Sequence, residues 1–108
     1  CIADKKSNSW GYSGSWGTED DYNTMRRDFE KMRKFTDAGY GVIIGEYGVC
    51  HNTDGGKHVM KKGTDKFLRS VNDLSSEMGY CAMIWDCSDW FNRKTQSYNY
   101  DFLKDIYD

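Results

Sequence analysis

The 108-residue chain contains no proline, so its turns depend on Gly, Asn, Asp and Ser. No apolar run is long enough to cross a bilayer, which argues against a membrane span. Charges of both signs alternate to a net charge of −2, and no basic block indicates nucleic acid or a membrane surface as a partner. With this length, the chain is expected to form one small domain with a modest core.

The four cysteines have spacings that match no zinc-site pattern, and we expect all four to be free thiols (Cys1, Cys50, Cys81 and Cys87). Cys81 lies in an apolar run and is expected to be a small core residue. No signal-peptide pattern is visible. The chain begins with a cysteine rather than with methionine. It is therefore expected to be a processed product or a fragment.

Aromatic residues are abundant, at 16% of the chain, with four Trp and eight Tyr. This is more than a small core needs, and Trp and Tyr rings suit flat ligands. Hydrophobic periodicity and turn residues predict the order loop–α–β–α–β–α. The predicted elements are a loop at 1–17, a helix at 19–38, a strand at 41–46, a loop at 47–56, a helix at 57–78, a strand at 80–86, a loop at 87–98 and a helix at 99–107.

The helix boundaries rest on local signals. Thr18 is a candidate N-cap, with Asp21 completing a capping box, and Gly39 is a natural terminator. Gly79 is expected to end the second helix, and Gly63 is expected to weaken its interior by about 1 kcal/mol. Alternating helices and buried strands predict a parallel sheet. Two strands alone leave open edges and an uncovered face, which indicates a slice of a larger α/β structure.

Two carboxylates stand at the ends of the predicted strands, Glu46 on the first and Asp86 on the second. Ligands of parallel α/β folds bind beyond the carboxyl ends of the strands. Period-2 alternation predicts two sets of residues that each share one face: Val42, Ile44 and Glu46; and Cys81, Met83 and Trp85.

If both sets point inward, a carboxylate and an indole ring meet at the mouth of the sheet, which suits a sugar ligand. The alternative is a strand-end Glu46 paired with a lysine or a helix N-terminus, with Trp85 filling the core.

Three segments, 15–22, 41–48 and 82–86, resemble motifs of glycoside hydrolase family 5. Residues 41–48 (Gly-Val-Ile-Ile-Gly-Glu-Tyr-Gly) are similar to the strand-seven signature of its cellulase-type members. The resemblance covers essentially the whole chain and implies the C-terminal segment of a (β/α)8 TIM barrel, with strands seven and eight. Residues 1–108 would then be part of a glycosidase catalytic domain.

The resemblance also implies roles for individual residues. Glu46 would be the catalytic nucleophile, Trp85 the floor of the −1 subsite, and Trp16 an aromatic residue lining the cleft. A cis peptide bond between Trp85 and Asp86 is implied as well. Gly41 departs from the family pattern, which usually has proline there.

The implied activity is that of a secreted or cell-surface retaining endo-β-1,4-glucanase that needs no metal or cofactor and acts on β-glucan. A retaining glycosidase requires a second carboxyl group, which the family carries in an Asn-Glu-Pro motif. The chain contains no Asn-Glu pair. The resemblance therefore implies a partner, the remaining barrel half with strands one to six, without which the 108 residues should be inactive.

Further candidates carry alternatives that the sequence leaves open. His51 either reaches a sugar hydroxyl or is a solvated loop residue. Asp86 either binds a sugar hydroxyl or holds the following loop. Trp90 is either a further sugar platform or a cap on the last helix.

Rival functions belong to other classes. A non-catalytic carbohydrate-binding half-barrel would use the same aromatic residues without hydrolysis. A related β-mannanase or xyloglucanase would differ in loops outside the chain. A flavodoxin-like domain is disfavoured because the sequence has neither a phosphate loop nor a reactive cysteine motif.

Overall fold

A computed structural model describes residues 13–49, 52–54, 57–86 and 89–108. Along them, two helices are followed by three short strands, a third helix, three more short strands and a last helix. The helices are α1 (Glu19–Glu30), α2 (Arg33–Asp37), α3 (Thr64–Met78) and α4 (Asp101–Tyr107). The strands are β1 (Ile43–Tyr47), β2 (Asn52–Asp54), β3 (Lys57–Val59), β4 (Cys81–Ile84), β5 (Phe91–Asn92) and β6 (Ser97–Tyr98). No helix within the described ranges is both long and apolar enough to cross a bilayer.

Strands β1 and β4 form a two-stranded parallel sheet, as the alternation of helices and apolar runs predicts. Ile43 pairs with Cys81, Ile44 with Ala82, and Tyr47 with Ile84. The register shifts between Ile44 and Tyr47, where β1 advances by three residues and β4 by two. This irregularity is a β-bulge, which places one extra residue in β1.

The predicted helix 19–38 is interrupted at residues 31–32. Its start is confirmed, because Thr18 and Asp21 form the capping box. The Met32 N–H bonds the Phe29 carbonyl and the Phe35 N–H bonds the Met32 carbonyl, both spanning three residues. This tighter pattern is a 3₁₀ turn that separates α1 from α2.

The second predicted helix starts at Thr64 rather than at residue 57. Gly63 has a φ of +87°, and a Cβ atom built there would lie 1.7 Å from the carbonyl oxygen of Trp16. Gly63 therefore stands outside the helix, and the expected weakening of the helix interior is wrong. Residues 57–59 instead pair antiparallel with residues 52–54, so the predicted loop 47–56 also contains a strand.

The core lies between the helices and one face of the β1–β4 sheet. Its buried residues come from α3, from α4 and from the strand ends, and Leu103 and Ile106 of α4 point inward. Ile44, Ala82 and Ile84 pack against this cluster from the sheet. The helices therefore cover this face of the sheet, which we call the covered face.

No described element packs against the opposite face of the sheet, which we call the uncovered face. Ile43 is 62% exposed, Met83 49% and Trp85 56%. Cys81 lies on the same face as a free, exposed thiol, so its predicted place in the core is wrong. Cys81, Met83 and Trp85 do share one face, because β4 alternates regularly. The other three cysteines lie outside the described residues.

Substitution of Gly63 should separate backbone strain from steric overlap. In Gly63→Ala, the left-handed φ and the overlap with the Trp16 carbonyl should together lower the free energy of unfolding by at least about 3 kcal/mol. Gly79→Ala is the matched control, because φ is +71° there but the Cβ position is open. Its cost should be only about 1–2 kcal/mol. Urea unfolding measures both, and equal losses would contradict the proposed overlap.

Candidate active site

Glu46 stands next to last in β1, inside the bulge, and its side chain is exposed. The expectation that Val42, Ile44 and Glu46 share one face is wrong, since Val42 and Ile44 pack toward the helices. The extra residue in the bulge breaks the period-2 alternation, so Glu46 is exposed and the next residue, Tyr47, is buried. Among the described residues, Glu46 forms no ion pair.

Trp85 follows β4 directly and is joined to the end of β1. Its backbone N–H donates a 2.7 Å hydrogen bond to the carbonyl oxygen of Tyr47. A Cβ atom at Gly48 would lie 3.8 Å from the Cβ of Trp85. The structure therefore brings the two strand ends together, with Glu46 and Trp85 both exposed. The interpretation of Trp85 as a core residue of this chain does not fit this exposure.

The peptide bond between Trp85 and Asp86 is trans, because the described residues contain no cis peptide bond. The cis bond implied by the family resemblance is therefore not present. The trans form is the ordinary one, since a cis bond at a residue other than proline costs about 3–4 kcal/mol.

Asp86 is half-exposed and binds the loop that follows it. Its Oδ1 accepts a 3.0 Å hydrogen bond from the backbone N–H of Trp90. Of the two roles predicted for Asp86, this contact supports the holding of the loop.

Trp90 is only 3% exposed and belongs to the core. Its ring centroid lies 6.0 Å from that of Tyr100, which immediately precedes α4. The predicted loop 87–98 contains the β5–β6 hairpin, and the Asn99 N–H bonds the Trp90 carbonyl across its base. This geometry supports packing against the last helix, since a buried ring offers no surface to a sugar.

Trp16 packs against α3 on the covered side of the sheet. Its ring packs edge-on against Phe67 of α3, with centroids 5.5 Å apart. It also lines a cavity of about 380 Å³ together with residues of α1, Ile44 and Tyr47. Because Ile44 and Tyr47 face the helices, this cavity lies on the covered side of the sheet. His51, the remaining candidate, lies outside the described residues.

Sequence reasoning missed a contact between two tyrosines behind the candidate site. The hydroxyls of Tyr47 and Tyr107 are 2.7 Å apart, and Tyr47 is 9% exposed. Burial raises the pKa of Tyr47 and, more strongly, that of Tyr107, so both phenols stay protonated in the neutral range. Tyr107 follows Leu103 by four residues and so shares its helix face. The four-residue spacing of Leu103 and Tyr107 was therefore the sequence signal that Tyr107 faces the core.

No group of three or more His, Cys, Asp or Glu side chains within the described ranges is arranged to hold a metal ion. The candidate site therefore consists of one carboxylate, one exposed indole and the backbone that joins them.

Comparison with known proteins finds no matching family model. One curated relative is Endoglucanase H of Acetivibrio thermocellus, which is 24% identical over 106 residues. The match covers 89% of this chain and 11% of that protein. The chain thus spans about a tenth of the length of this relative.

Solved structures resemble the chain along most of its length. A tri-modular GH5 subfamily 4 endo-β-1,4-glucanase from Bacillus licheniformis, in complex with cellotetraose, is 25% identical, with a TM-score of 0.65. The match covers 80% of this chain and 16% of that one. Cel5A of Thermotoga maritima, in complex with mannotriose, is 17% identical, with a TM-score of 0.67. That match covers 93% of this chain and 34% of the Cel5A chain.

These neighbours are TIM barrels, and the parallel β1–β4 unit with its helices has the architecture of one part of such a barrel. Within that class, the chain resembles the C-terminal part of the cellulase-type members of glycoside hydrolase family 5.

Truncation of Asp86 should loosen the loop that carries Trp90. Asp86→Ala removes the acceptor for the Trp90 N–H and should lower the free energy of unfolding by about 0.5–1.5 kcal/mol. Asp86→Asn keeps a side-chain oxygen that can accept the same bond, so its loss should be smaller. Chemical denaturation of both variants measures this difference. An Asp86→Ala variant as stable as the wild type would show that the contact does not hold the loop.

Proposed function

We propose that this chain is the C-terminal part of a retaining endo-β-1,4-glucanase and that Glu46 is its nucleophile. The observation that carries the proposal is the bulge in β1, which leaves Glu46 exposed at the carboxyl end of one strand, while the exposed Trp85 follows the paired parallel strand. Barrel enzymes place their catalytic groups at this end of the strands.

Glu46 has the chemistry that the first step requires. Its carboxylate attacks the anomeric carbon, the bond to the leaving sugar oxygen breaks, and a covalent glycosyl-enzyme forms. A second carboxyl group, about 5–5.5 Å from the first in retaining enzymes, protonates the leaving oxygen and then activates water. In this proposal that group comes from outside the 108 residues.

Trp85 serves as the sugar platform. More than half of its surface is exposed, and an indole ring packs well against the apolar face of a pyranose. The Trp85 N–H to Tyr47 carbonyl bond holds the base of the platform to the strand of the nucleophile. The backbone segments that carry the ring and the carboxylate are therefore joined directly to each other.

The rest of the barrel is the partner of the uncovered face. Parallel sheets are normally buried on both faces, whereas Ile43 and Met83 are largely exposed here. The matched relatives are much longer than the chain, since the matches cover only 34% and 11% of their lengths. We assign β1 and β4 to strands seven and eight, with strands one to six as the missing partner.

The substrate proposed is a β-1,4-linked glucan. Endoglucanase H and the cellotetraose-bound glucanase from Bacillus licheniformis support this class by what their names state. Secretion or display at the cell surface is part of the same proposal, because a polymeric glucan lies outside the cell.

Glu46→Gln should abolish turnover of a soluble cellulose derivative by the complete protein that contains this chain. The amide keeps the shape but is not a nucleophile, so kcat should fall by at least about a thousandfold. The isolated 108 residues should show no turnover, since the second carboxyl group is absent. Release of reducing sugar measures turnover by the complete protein, by its Glu46→Gln variant and by the isolated chain.

Glu19→Gln is the control, because Glu19 is an exposed residue in the first turn of α1. It should leave kcat unchanged. Turnover by the isolated chain that depends on Glu46 would contradict the account of the second carboxyl group.

Accessibility of Cys81 tests the missing partner. In the isolated chain its exposed thiol should react freely with a maleimide. In the complete protein the uncovered face becomes the barrel interior, so the labelling rate should fall by at least about tenfold. Peptide mass spectrometry quantifies the label on Cys81 in both preparations, and equal rates would contradict burial of this face.

A further inference from the structure

Tyr47 joins the candidate site to the core in two ways. Its backbone carbonyl accepts the N–H of Trp85, and its peptide nitrogen is bonded to Glu46. Its side chain turns into the covered face and is 9% exposed. The position of Tyr47 therefore sets both the end of β1 and the start of the Trp85 segment.

The far end of the Tyr47 side chain is held by Tyr107, the last residue of α4. The two hydroxyl oxygens are 2.7 Å apart, and 60 residues separate them along the chain. The Tyr107 ring itself packs against Tyr98 of β6, with centroids 6.5 Å apart. The hydroxyl of Tyr107 is thus fixed by α4 and by the β5–β6 hairpin.

We infer that Tyr107 is a positioning residue for Glu46: through its hydroxyl it holds Tyr47, and through Tyr47 it holds the bulged end of β1. This inference rests on the proposed function. Tyr107 lies on the covered side of the sheet, where it packs with the core and not with the exposed carboxylate. Its effect on the reaction must therefore pass through Tyr47.

The physical argument is the asymmetry of a part-buried hydrogen bond, in which Tyr47 is the buried partner. Removal of one hydroxyl leaves the other buried without its partner, which is more costly than removal of both. The strand end can relieve that cost by moving the Tyr47 side chain, and Glu46 moves with it. A nucleophile needs close alignment with the anomeric carbon, so a small displacement slows the chemical step.

Tyr107→Phe in the complete protein should lower kcat by about three- to tenfold, the factor that corresponds to one hydrogen bond. KM should stay unchanged, because the sugar platform and the glucan cleft remain. The double variant Tyr47→Phe with Tyr107→Phe removes both hydroxyls and should recover kcat to within about twofold of the wild type. Recovery on a second deletion is a result that general destabilisation does not produce.

Tyr80→Phe is the matched control. Tyr80 is also buried, and its hydroxyl donates a 2.9 Å bond to the Phe29 carbonyl, but it precedes β4 at the opposite end of the sheet from Glu46. It should lower thermal stability as Tyr107→Phe does while leaving kcat unchanged. If kcat falls to a similar extent in Tyr80→Phe, lost stability explains the effect of Tyr107→Phe on kcat. That result would overturn the inference.

Amide hydrogen exchange supplies a readout that does not need activity. The Trp85 N–H bonds the Tyr47 carbonyl, so in Tyr107→Phe it should exchange about tenfold faster, and in Tyr80→Phe at the wild-type rate. Unchanged kcat and unchanged exchange in Tyr107→Phe would overturn the inference. If Glu46→Gln leaves turnover intact, the proposed function is wrong, and the exchange rate of the Trp85 amide alone decides whether Tyr107 holds the strand end.

Discussion

The helices pack against only one face of the parallel β1–β4 sheet, and the rest of the structure depends on this constraint. The core forms on the covered face, from α3, α4 and the inward residues of the strands. Apolar side chains on the opposite face, such as Ile43 and Met83, remain exposed. A parallel sheet with one open face requires a further layer or further strands. Because the helices cover one face only, Glu46 and Trp85 of the candidate site remain exposed.

The bulge in β1 determines which side chains at the strand end are exposed and which are buried. It reverses the alternation of the strand between Ile44 and Tyr47, so that Glu46 is exposed and Tyr47 is buried. Tyr47 then links the site to the core, through its carbonyl to Trp85 and through its hydroxyl to Tyr107. The exposed Glu46 is thus followed directly by a residue whose side chain is buried in the core.

Features set by local chemistry could be predicted from the sequence, and features set by contacts between distant segments could not. The cap at Thr18 and the helix end at Gly79 depend on a few adjacent residues and are confirmed. Regular alternation predicted that Glu46 would share a face with Ile44, and it failed because a bulge arises from pairing with another strand. Likewise, the close approach of the Trp16 carbonyl to Gly63, which precedes its helix, comes from a distant segment and could not be predicted. The nucleophile itself was indicated by motif resemblance, and its role remains a proposal.

The most direct test of the central claim is covalent labelling of the complete protein with an activated 2-deoxy-2-fluoro-cellobioside. Such a sugar forms the glycosyl-enzyme but slows its hydrolysis, so the attacking residue stays labelled. Peptide mass spectrometry after digestion then locates the added sugar. The account predicts one label, on the peptide that contains Glu46, and none in Glu46→Gln. A label on a different carboxylate, or an active protein that is never labelled, would contradict it.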